Sequence, residues 1–225
     1  VDDNIVSAIV GGVVALVGKE SLTWLVHSVI ERSNLARDGL VDIATMVRSA
    51  ERTANLIEKA KAPSSYADLV DHPSRWIQGR PVLPATSYAT GFGNETVHVH
   101  AILMFDALDW FDRRAAQHKE AFVWLLEKCD PEMENAPKWS GSACSERLGV
   151  LRDAKQLMRT HALDAARHGY YIIEAMWSLT QTLPPFWRNE ESAVENAKRV
   201  LGIESADDAR KKARKLDQLL ASTLA

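Results

Sequence analysis

The chain has 225 residues, a formal net charge of −3 and 46% hydrophobic residues. That length is enough for one domain with a sizeable core, and the slight acidity argues against a general polyanion binder, so no nucleic acid is expected. Cys129 and Cys144 form no CxxC pattern and are too few for a disulfide scaffold. Two free thiols in a reducing compartment are the expected state, with a single disulfide across the 131–142 loop as the other reading.

The first element is an uncharged run over residues 5–18 that stops at Lys19 and Glu20. A bilayer-spanning helix needs about 20 apolar residues, and this run reaches only about 21 Å at about 1.5 Å per residue. Continuing to Ile30 makes it long enough. It also places Lys19 and Glu20 near mid-span, at roughly 2.5–3.5 kcal/mol for a Lys or Asp there. The acidic start, Val1-Asp2-Asp3-Asn4, is unlike the basic first region of a signal peptide. Ile5, Val6, Ile9, Val10, Val13, Val14, Leu16 and Val17 carry on the order of 12–24 kcal/mol of gross burial between them. They must meet lipid, a protein partner, a second copy or the chain's own core. They are therefore the expected interface or membrane residues. The expected location is cytoplasmic, with inner-membrane association through this segment. Free thiols favour that side, as do Arg32 and Arg37 beyond Ile30.

Prolines fall only at 63, 73, 81, 84, 131, 137, 184 and 185, so long proline-free blocks alternate with turns, as helices do. Residues 36–57 carry a seam at Ala36, Leu40, Ile43, Val47, Ala50, Ala54 and Ile57, which predicts an amphipathic helix. A long irregular connection follows at about 63–94, with one short helix at 66–71. Residues 96–128 predict the next helix, with a seam at Val97, Ala101, Met104, Leu108, Phe111, Ala115, Phe122 and Leu125 and His118 within it. Leu103, Phe105 and Trp110 lie off that seam, so this helix is apolar on more than one side and reads as the central one.

A second loop covers 130–145, and a fourth long helix covers 146–183. Its seam is Leu148, Leu151, Met158, Ala162, Ala165, Gly169, Ile172, Met176 and Leu179, with Ala165 and Gly169 small enough for close helix contact. Two final helices span 190–201 and 205–220. Gly202 ends the first, and Ser205 caps the second, with Asp207 and Asp208 in its first turn. Its basic residues Arg210, Lys211, Lys212, Arg214 and Lys215 read as a solvated face opposite Ala206, Ala209, Ala213, Leu216 and Leu220. The expected fold is all-α, in a single helical domain. Residues 1–30 are the apolar start, 33–183 a bundle of three to four long helices, and 186–225 a C-terminal helical hairpin.

Carboxylates and imidazoles at helical spacing are the only constellation with metal chemistry in view. Glu95 and His98 share a face at i,i+3, and Asp164 and His168 do so at i,i+4. With Glu51 beside the seam of its helix, these five make a carboxylate–histidine set able to take Fe, Mn or Zn. The layout is similar to that of ferritin-like and haem-oxygenase-like dimetal bundles. It lacks their second Glu-x-x-His pair and their bridging carboxylate, since Glu174 falls on an exposed side by this register. The plainer reading makes Glu95 a helix-start acid and Asp164–His168 a surface pair. No nucleophile elbow or phosphate fingerprint is present. The leading expectation is a non-enzymatic, cofactor-free helical bundle that acts by binding a protein partner, itself or a membrane. A metal-dependent oxidoreductase or metal-binding protein is the alternative.

Overall fold

The structure is a computed structural model, and it describes residues 39–71, 95–133, 135–182 and 191–224. The apolar N-terminal segment, including Ile5, Val6, Ile9, Val10, Val13, Val14, Leu16 and Val17, lies outside the described residues, as does the connection from 72 to 94.

The described residues contain helices and no strand: α1 (39–59), α2 (Tyr66–Val70), α3 (Glu95–Lys128), α4 (Ser142–Thr182), α5 (Glu191–Leu201) and α6 (Ala206–Leu224). Each follows from its apolar period. Leu40, Ile43, Val47, Ala50, Ala54 and Ile57 of α1 are all buried, as are Val97, Ala101, Met104, Leu108, Phe111 and Leu125 of α3. The α4 seam from Leu148 to Met176 is likewise closed off from solvent.

Among these helices α4, not α3, is the centre. It packs along α3 on one side and α6 on another. It also meets α1 through Tyr170, whose hydroxyl donates to Glu51 Oε1 at 2.9 Å. The α3–α4 pair is antiparallel, with His100 beside His168, Trp110 beside His161, and Cys129 joined to Cys144. Helix α1 also runs against α4, from Val47 at Gly169 to Glu58 at Arg159, 3.1 Å apart. A Cβ on Gly169 would fall less than 3.0 Å from Val47 Cγ2, so glycine is what lets these two backbones approach.

Two reciprocal caps fix helix starts. Ser65 Oγ accepts from Asp68 N–H at 3.1 Å, and Asp68 accepts in return from Ser64 N–H at 3.0 Å. Ser205 Oγ accepts from Asp208 N–H at 3.2 Å, and Asp208 accepts from Glu204 N–H at 3.2 Å. Both are Ser-x-x-acid patterns that satisfy otherwise orphaned donors of the first turn. Bonds to the charged form, first from the Ser64 hydroxyl onto Asp68 and from the Glu204 N–H onto Asp208, hold both carboxyls below their usual range. Gly202 ends α5 with φ 60°, its N–H donating to Lys198 O at 2.7 Å, a left-handed position that suits glycine.

Three further expectations are corrected. Cys129 and Cys144 are disulfide-bonded, and no described cysteine is free. The argument for a reducing compartment from free thiols therefore falls. The bond closes because α3 ends and α4 begins side by side, a proximity that sequence separation does not reveal. Helix α4 starts at Ser142 rather than 146, because the turn closed by Gly141 N–H on Lys138 O at 2.6 Å leads straight into it. Glu174 is only 15% exposed and pairs with Arg210 at 2.5 Å, because α6 covers that side of α4.

Candidate functional site

Polar side chains converge where α3, α4 and α6 meet. Along α4, Asp164, Arg167, His168 and Tyr171 recur at spacings of three and four, so they form one stripe beside the apolar seam. His100 enters from α3 and Asp217 from α6. His168 is 4% exposed and the Asp164 side chain 30%, so the pair sits at the edge of the interior.

Hydrogen-bond geometry assigns the protons. Arg167 Nη2 lies 2.8 Å from His168 Nε2. A guanidinium only donates, so Nε2 accepts and the proton of His168 sits on Nδ1. That Nδ1–H then donates to His100 Nδ1 at 2.9 Å, leaving His100 protonated on Nε2. Both rings are neutral in this arrangement. Burial pushes His168 down to about 4, with Arg167 and His100 adding to the effect. His100 is lowered by burial and then by Arg167. Its ring also stacks on Tyr171, 4.8 Å between centroids.

Arg167 is held from two sides, by Asp164 at 2.7 Å and by Asp217 at 2.9 Å. Tyr171 donates to the other oxygen of Asp217 at 2.5 Å, which raises the tyrosine pKa. Burial raises the Asp164 carboxyl, and Arg167 opposes that rise. The cluster is thus a hydrogen-bonded joint tying three helices together.

The sequence-derived metal set does not assemble around it. Asp164 and His168 do come together, at 3.6 Å. Glu51 instead accepts from Tyr170, and Glu95 and His98 stand exposed on the first turn of α3. Among the described residues, no group of three or more His, Cys, Asp or Glu side chains is arranged to hold a metal ion. The guanidinium against His168 Nε2 puts a cation where a metal would need to sit, so the donor set does not fit one. Sequence reasoning missed His100, Arg167, Tyr171 and Asp217. Their only signal is spatial: His100 comes from α3, Arg167 and Tyr171 from α4, and Asp217 from α6.

A second feature lies on the outer side of α3. Val99, Ile102, Leu103 and Trp110 are 45%, 45%, 40% and 45% exposed. They share one side of the helix because residues three, four and seven apart do. Arg113 holds its guanidinium 4.9 Å over the Trp110 ring, and His161 of α4 stacks on that ring at 6.1 Å. Glu95 and Arg113, both exposed, bracket the apolar stretch on the same side. Trp and Arg together at the end of an apolar stripe are the residue types that anchor protein interfaces.

No helix among the described residues is long and apolar enough to cross a membrane. No family model matches this chain, and no curated protein and no solved structure matches it significantly.

Proposed function

We propose that this chain is a non-enzymatic helical-bundle protein that acts by binding, with the outer side of α3 as a contact surface. The apolar segment 5–17 supplies a further contact, with a protein partner or a membrane. The observation that carries this reading is the run Val99, Ile102, Leu103 and Trp110, large apolar side chains left 40–45% exposed along one helix. Large apolar side chains exposed together on one side of a helix, here with Asp106 among them, are a surface on which a partner can dock. Trp110 under Arg113 gives it a rigid, amphipathic anchor.

A photoreactive amino acid placed at Leu103 tests the reading in cells, against the same group at the exposed Lys211 of α6. Discrete crosslinked products from position 103 and none from position 211 are expected. Position 103 giving nothing beyond position 211 removes the binding role of this surface.

A further inference from the structure

The outer side of α3 has an internal order that points to its occupant. Reading along the helix, an acid (Glu95) comes first, then the apolar Val99, Ile102 and Leu103, then the acid Asp106, the apolar Trp110 and a base (Arg113). The steps from 95 through 99, 102, 106, 110 to 113 are four, three, four, four and three, a stripe along one side. Its ends are of opposite charge, and its middle is apolar except for the exposed Asp106. A twofold axis crossing α3 near residue 104 maps such a stripe onto itself with the charges exchanged. An isologous contact requires that self-complementarity.

We propose that a second copy of this chain docks antiparallel along the outer side of α3, Glu95 meeting the partner's Arg113 at both ends of the apolar seam. This rests on the binding reading above and names its partner. Trp110 then lies over the partner's Val99, Leu103 lies beside the axis, and Ile102 lies level with the partner's Asp106. The two ion pairs sit about 27 Å apart along the helix, at about 1.5 Å per residue. They set direction, because a parallel pairing would put acid on acid and base on base. Asp106 and its own copy flank the axis, so like charge weakens the seam at its centre. One helix per copy makes a small interface, of the class in which weak, transient contacts fall.

Sedimentation velocity on the full chain over a concentration series tests this. The unaltered chain should pass from monomer to dimer. E95K alone and R113E alone each place two like-charged pairs in their homodimers, and each should weaken self-association by about tenfold or more. An equimolar mixture of E95K chains with R113E chains restores attraction at both ends, and it should dimerise at least as tightly as the unaltered chain. D106N should tighten the dimer severalfold. Rescue on mixing also shows that both variants are folded. A monomeric unaltered chain, or a mixture no tighter than its components, overturns the twofold pairing. With crosslinks from Leu103 retained, that result leaves a different protein partner on this side; without them the binding reading falls as well.

Discussion

Replacing Gly169 by Ala probes the tightest helix contact in the bundle. The added Cβ would fall less than 3.0 Å from Val47 Cγ2 on α1, with Met46 Cε at 3.4 Å and Met104 Sδ at 3.7 Å. The methionines are flexible and can give way. Val47 is fully buried, and its β-branched side chain has little rotamer freedom in a helix. Overpacking of this kind costs about 1–3 kcal/mol, while Ala in place of Gly inside a helix returns about 0.8–1.0 kcal/mol. The expected net loss is about 1 kcal/mol. Removing the obstacle reverses the sign. In a V47A background, itself destabilised by roughly 1.5–3 kcal/mol, the new methyl has room, and G169A should stabilise by about 1 kcal/mol. The double-mutant cycle then shows a coupling of about 2 kcal/mol. Urea unfolding of the four proteins, with slopes compared so that only midpoints move, supplies the measurement. If G169A shifts the midpoint in the same direction and by the same amount in both backgrounds, α1 and α4 do not touch there.

The interior histidine gives a pH dependence of defined sign. Folded His168 titrates at about 4 against 6.5 in the unfolded chain, so between those values the unfolded chain holds more protons and stability rises with pH. The contribution is complete above about pH 6.5 and is lost as pH falls, by roughly 2 kcal/mol between pH 7 and pH 5. His100, shifted the same way, adds to it. His168→Gln should flatten that slope by more than half in urea titrations at several pH values, and an unchanged slope would show that another group is responsible. The Cys129–Cys144 bridge closes a loop with a sequence separation of 15, which is worth about 3 kcal/mol in the chain-entropy account. The double variant C129S/C144S should lose about that much, while native thiols should resist alkylation because both sulfurs are buried. Ready labelling of the folded, unreduced chain would show that the bond does not form.

The sequence made the helices legible because their information is local. The four-and-three steps of α1 from Leu40 to Ile57 place every member in the core, and Gly202 and Ser205 act where their backbone chemistry requires. Gly169 was readable as a close-contact residue for the same reason: a small side chain in a seam has few other uses. Periodicity says which side chains share a side of a helix, and it is silent on what covers that side. Leu103 and Trp110 therefore announced a second apolar side of α3, but not that α4 would take the central place. The joint of His100, Arg167 and Asp217 was illegible for a different reason. Its members come from three helices and become neighbours only once α6 is laid along α4. The same holds for Cys129 and Cys144, which meet because two helix ends do.

The polar joint also decides where α6 comes to rest. Slide that helix one heptad along its groove: Ala209 takes the place of Leu216 and Ala213 that of Leu220, so grease still matches grease in kind, although two leucines' worth of volume is lost from the core. Arg210, however, then arrives where Asp217 belongs, head-on to Arg167. Cation against cation in a half-covered crevice is a misfit that no repacking cures. A few charged atoms thus add an address label to an oily stripe that repeats itself every two turns.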